Sequence, residues 1–259
     1  MAILANESGM VDSGVPKAPR ARRSSFQLAL ALVMTAAVLV GFGYEVPTYI
    51  VHPKVQRPAI MWVHGVAMLA WIALYVTQTA LVRTSNLRLH RRLGQFGMVL
   101  ALVMVPLMLS ASWVMDRFNR VHFPGPSLAA DVSFMAVQLW DALGFAVLIG
   151  LGAAMRPRPE FHRRLMFLGT CILMDAGFAR FPVPWGPAGT ELPEWAAYIA
   201  LDALIVITMV RDWRLIGRPH VVFAIALPVM VAGQLLALYL TQVHPHWWVA
   251  MTSALLGLA

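Results

Sequence analysis

Asp141, Asp175 and Asp202 each lie inside a separate apolar stretch long enough to cross a bilayer. A carboxylate at the centre of such a stretch costs roughly 2.5–3.5 kcal/mol even on insertion scales, so each is expected to face protein, water or a ligand. His64 stands near the start of another such stretch. Three carboxylates and one imidazole make a hard, oxygen-rich set, suited to Mg, Mn, Fe or Zn rather than to copper. A divalent metal held by His64, Asp141, Asp175 and Asp202 could activate water, which would make the chain an intramembrane metal-dependent enzyme. The same carboxyls could instead carry protons, coupling the site to a cation or small polar ligand. A third reading has them only locking helices together, as polar side chains do in membranes.

The elements that would position these groups follow from composition. The 259 residues are 59% hydrophobic and 12% charged, with apolar runs separated by short basic or Pro/Gly-rich stretches, which is the pattern of a helical multipass protein. We read an all-α, polytopic transmembrane helical bundle of seven helices, at 26–44, 59–82, 94–115, 131–154, 165–181, 193–210 and 220–241. A short C-terminal apolar segment, 247–259, is added as a half-span or interfacial helix. Residues 1–25 read as a disordered cytoplasmic tail and 26–259 as one transmembrane domain. The single Cys171 leaves no disulfide framework and no cysteine zinc site. No HExxH, phosphate-binding loop or transmembrane lysine occurs.

Helix rise converts the spans into depths. His64 falls about 8 Å below the outer surface, Gln138, Asp175 and Gln234 about 10 Å, and Asp202 and Asp141 about 13–15 Å. On the second helix His64, Met68, Trp71, Tyr75 and Gln78 form one stripe. Gln138 shares a face with Asp141, and Tyr198 with Asp202. These stripes predict one ligand pocket in the outer half of the bundle, built from His64, Gln138, Asp141, Asp175, Asp202 and Gln234, with Arg180 capping it from above. Haem is disfavoured, because the other seven histidines fall in loops or at helix ends. The outer loops 116–130 and 181–192, rich in Pro, Gly and aromatics, are expected to be stiff, irregular covers.

Of the 20 Lys and Arg residues, fifteen fall in one set of connections and five, Lys54, Arg57, Arg117, Arg120 and Arg180, in the other. The positive-inside rule places the larger set, and the N-terminus, in the cytoplasm. The formal charge of +8 therefore calls for no nucleic-acid partner. Trp185, Trp195, Trp247 and Trp248 then sit at the outer interface. HRRL recurs at His90 and His162, and a third basic loop ends at His220, so one anchor helix is followed by three hairpins. His90, Arg91, Arg92, His162, Arg163, Arg164 and His220 are expected to meet lipid headgroups. The 16 Met and the aromatic residues could also serve an accessory subunit seated in a larger membrane complex.

The run HGVAMLAWIALYVTQTALV, then LRLHRRLG, then FHRRLM with Asp175 and Arg180 before a proline, resembles an uncharacterised group of bacterial multipass membrane proteins. The resemblance covers roughly residues 60–220. It implies a helical bundle in a bacterial inner membrane and carries no catalytic residue with it.

Overall fold

Proline, glycine and small polar residues set the helix ends. Asn86 caps its helix by accepting from the Leu89 N–H, Ser127 does the same with Ala130, and Gly217 stops its helix at φ 77°. In this computed structural model, which describes residues 25–183 and 190–258, the helices are α1 (Phe26–Val46), α2 (Ala59–Arg83), α3 (Leu87–His122), α4 (Leu128–Ser133), α5 (Met135–Ala154), α6 (Pro159–Cys171), α7 (Asp175–Phe178), α8 (Glu194–Ile216), α9 (Val221–Val243) and α10 (His246–Leu256). A π-turn over Pro47–Val51 extends α1, and a 3₁₀ turn over Ile172–Met174 joins α6 to α7.

Five stretches are long and apolar enough to cross a membrane: Phe26–Val51, Ala59–Arg83, Leu87–His122, Leu128–Ala154 and Val221–Val243. Large apolar side chains cover their outside, among them Leu102 at 72%, Val121 at 71% and Val66 at 68% exposure. So wide an apolar exterior is hydrated in no stable soluble fold, and lipid is its natural solvent. The chain is a multipass membrane protein. Five of the seven expected spans correspond to these stretches; the other two fall on α6–α7 and α8, which do not meet the same length and composition among the described residues. α6 has only 13 residues, and α8 carries Glu194, Asp202, Arg211, Asp212 and Arg214.

The ends of the helices gather as the basic loops suggest. Arg83 Nε donates to the Ser25 hydroxyl at 3.0 Å, the Arg211 guanidinium lies 4.3 Å over Phe26, and the Phe161 and His220 rings are 4.9 Å apart. All three connections that hold most of the basic residues therefore share one end. Between the two ends the core is apolar and aromatic, with Phe145, Phe167, Leu168, Ile172 and Met104 almost wholly buried.

Several boundaries depart from expectation. Residues 116–122 were expected in an irregular cover but continue α3, because DRFNRVH holds no Gly or Pro; the helix stops just before Pro124. α4 (Leu128–Ser133) begins in the last three residues of the same expected cover and runs into the span expected from 131. The fifth span, read as one helix over 165–181, breaks at the 3₁₀ turn. α10 lies across the outer end, where Trp113 Nε1 donates to the Leu255 carbonyl at 3.0 Å and Arg117 donates to that of Leu256. The expected disordered tail, apart from Ser25, and Trp185 lie outside the described residues.

α1 and α7 approach backbone to backbone. A Cβ added at Gly41 would fall 2.1 Å from the Gly177 carbonyl oxygen, and one at Gly177 would fall 3.2 Å from the Val38 Cα. Small residues allow such approach between membrane helices. Neither backbone can yield without moving α7, so Gly41→Ala is expected to cost about 1–3 kcal/mol. The check is thermal unfolding of the purified protein in detergent against wild type, with Gly43→Ala as control, since a Cβ at Gly43 meets nothing within 4 Å.

Candidate functional site

α5 brings Asp141 to the site. Its neighbour Trp140 fills a notch in α9, where a Cβ on Gly233 would come within 2.1 Å of the Trp140 ring. That contact sets the rotation of α5. Asp175 arrives from the opposite side at the first residue of α7, directly after the 3₁₀ turn, and is only 1% exposed. Its Oδ1 accepts from the Ala176 N–H at 2.6 Å, so the side chain takes part in the helix break. The two carboxyl groups are within hydrogen-bonding reach of each other. Glu194, first residue of α8, interacts electrostatically with both. Tyr198, one turn further along α8 and 3% exposed, lies within the electrostatic field of all three.

This cluster is rich in unmet hydrogen-bonding capacity. Asp141 Oδ1 and the Tyr198 hydroxyl are both shielded and have no partner among the described residues. A shielded polar atom left unpaired costs about 1–3 kcal/mol, so the arrangement favours an added donor.

Arg180 closes the outer side. It forms an ion pair with Glu45 at the end of α1, Nε to Oε2 2.9 Å, and lies 4.2 Å over the Phe42 ring. Its charge also reaches Asp175, Glu191, Glu194 and His64. Glu191 is held there by an antiparallel bridge between Pro182 and Glu191. Four carboxyl groups, those of Glu45, Asp175, Glu191 and Glu194, thus interact with one arginine. Glu45, Glu191 and Glu194 were missed as site residues because each lies at a helix or loop margin, where an acid usually meets water.

The remaining expected site residues go elsewhere. Gln138 Nε2 donates to Asp116 Oδ1 on α3 at 3.1 Å, and Gln234 Nε2 donates to Asp202 Oδ1 at 3.1 Å. Gln138, Asp202 and Gln234 are therefore two inter-helix clasps and not walls of a common pocket with Asp141. Among the described residues no three His, Cys, Asp or Glu side chains come together as a metal would require. His64, Asp141, Asp175 and Asp202 do not converge as a four-ligand metal centre, and the metal-enzyme reading loses its geometry.

At the basic end, the two HRRL histidines meet: the His90 and His162 rings are 6.5 Å apart and nearly perpendicular. His162 Nδ1 lies 2.7 Å from the Gly152 carbonyl, which can only accept, so that nitrogen carries the proton. Arg164 departs from the headgroup expectation. It is 2% exposed and pairs with Asp212 of α8, itself 3% exposed, at 2.5 Å. The HRR run wraps a helix, so His162 and Arg164 turn inward while Arg163 stays exposed.

His220 caps α9, its Nδ1 accepting from the Val222 N–H at 3.2 Å, which needs the neutral ring. Burial, and next the nearby Arg164 charge, hold its pKa below the ordinary 6.5. A folded value below the unfolded one means that the contribution is complete above pH 6.5 and is lost as pH falls through the folded value. Between pH 7.5 and 5.5 the wild type is expected to lose about 1 kcal/mol that His220→Asn, an unprotonatable cap, does not lose. Paired unfolding curves at the two pH values give the comparison.

Comparison with family models, with curated proteins and with solved structures gives no match for this chain.

Proposed function

We propose that this protein is a bacterial inner-membrane protein that binds a small cation in the carboxyl cluster of Asp141, Asp175, Glu194 and Tyr198, exchanging it for a proton held between the two aspartates. The observation that carries the reading is the set of unpartnered acceptors facing a shielded carboxyl pair. Two carboxyl groups in hydrogen-bonding reach repel unless a proton or another cation lies between them. One arginine against four carboxyls, with Asp141 beside them, leaves several charges for protons or a ligand to balance.

The proposed orientation puts the N-terminus in the cytoplasm and the site toward the periplasm. In its favour, eleven of the basic residues, all among the described ones, lie in the connections that gather at one end, while Lys54, Arg57, Arg117, Arg120 and Arg180 belong to the other set. His90, Arg91, Arg92, His162, Arg163 and His220 would then face the cytoplasmic leaflet, where anionic lipid headgroups suit them. Sequence resemblance to bacterial multipass proteins adds to the same reading.

The test is titration of the purified protein with sodium, methylammonium and guanidinium in weak buffer, reading tryptophan fluorescence together with a pH indicator. A saturable signal accompanied by release of about one proton per protein is expected. Folded protein that gives neither signal with any of the three would end the reading.

A further inference from the structure

Arg180 is held by interactions that are easily given up. Its 2.9 Å contact with Glu45 is an ion pair without a hydrogen bond, for the Nε–H finds no acceptor. The other attachments are a hydrogen bond from Nη1 to the Ala176 carbonyl and the face of Phe42 at 4.2 Å. With 28% of the side chain exposed, the ion pair is worth little in free energy. Yet the charge of the same guanidinium acts on Asp175 and Glu194, whose neighbours Asp141 and Tyr198 carry the unpartnered oxygens.

We propose that Arg180 is a tethered competitor for the cation site, and that the ligand is accordingly a guanidinium or primary ammonium compound. This deepens the cation-binding reading above and rests on it. Turned outward, Arg180 pairs with Glu45 and leaves the inner acceptors open. Turned inward, it fills them with its own N–H groups and excludes the ligand. The inner acceptors comprise carboxylates and a hydroxyl from α5, α7 and α8, and they match a cation bearing several N–H donors. A metal ion would need three or more ligands gathered at short range, which the described residues do not offer.

Opposite substitutions should then act with opposite signs. Arg180→Gln removes the competitor and is expected to tighten guanidinium and methylammonium binding about tenfold, a change of about 1.4 kcal/mol. Glu45→Gln removes the outward anchor, sends Arg180 inward and is expected to weaken both severalfold. Sodium should compete poorly with either probe. Fluorescence titrations of the full-length variants in detergent measure all three. Arg180→Gln that binds guanidinium no more tightly than wild type, or Glu45→Gln with unchanged affinity, overturns the proposal. If Arg180→Gln does not fold, Glu45→Gln decides alone, because it keeps the arginine. Asp175→Asn separates the two levels of the argument. Unchanged guanidinium affinity in that variant defeats cation binding at this cluster altogether, whereas its loss alongside an unaltered Arg180→Gln defeats only the competitor.

Discussion

Asp175→Asn is expected to weaken guanidinium binding by about 30-fold or more while the protein still folds. Removing the charge from one member of a shielded, hydrogen-bonded pair costs about 2–5 kcal/mol of binding, and the lower figure already corresponds to that factor. Asparagine preserves the volume and still offers an oxygen to the Ala176 N–H, the bond at 2.6 Å that belongs to the helix break. The effect should therefore appear in affinity and proton release, with little change in unfolding temperature. Asp202→Asn provides the contrast. Its carboxylate is engaged with Gln234 on α9, and an amide there leaves the carboxyl cluster intact. Guanidinium titration of both variants is decisive: equal losses would mean that the two aspartates act as one site, against the separation seen in the fold.

That separation explains what the sequence could and could not supply. Apolar length located the helices, because burying or exposing twenty apolar residues to lipid leaves few other solutions. Depth along each helix is also readable from the rise per residue, and it leads to the expectation that Asp141, Asp175 and Asp202 share the outer half. Depth is one coordinate of three. Whether residues at one height share a cavity depends on the rotation of each helix, and here rotation is fixed by contacts such as Trp140 in the Gly233 notch and Gly41 against Gly177. Those contacts join residues far apart in the chain, so no local pattern announces them. The break at Ile172–Met174 was hidden for a related reason: ILM is apolar and ordinary for a membrane helix, and the signal lay in Asp175 competing for the backbone. Asp116 was lost to an assumed loop, and Arg164 to a motif that looked uniformly basic.

Asp212→Ala is expected to lower stability by about 3–5 kcal/mol, because it strands the Arg164 guanidinium in a place that is 2% exposed. Two bonds now satisfy that guanidinium, one to Asp212 at 2.5 Å and one to the Glu160 carbonyl. Loss of the carboxylate leaves its charge without a counter-ion, whereas a partly exposed pair such as Arg120–Asp131 at the other end, with 34% of the Arg120 side chain exposed and 13% of Asp131, would cost less because solvent screens the charge left behind. The penalty comes from the charge left behind and not from the attraction lost. Replacing both partners, Arg164→Met with Asp212→Leu, should therefore recover most of the stability, since the desolvation cost disappears along with the pair. Unfolding of the two variants in detergent discriminates these origins: a double variant as unstable as Asp212→Ala would show that the pair contributes by attraction. The pair also ties α6 to α8 at the basic end, and these helices lead to Asp175 and come from Glu194 at the other. A double variant that regains stability should accordingly regain guanidinium affinity too, because apolar packing between α6 and α8 holds the carboxyl cluster as well as an ion pair does.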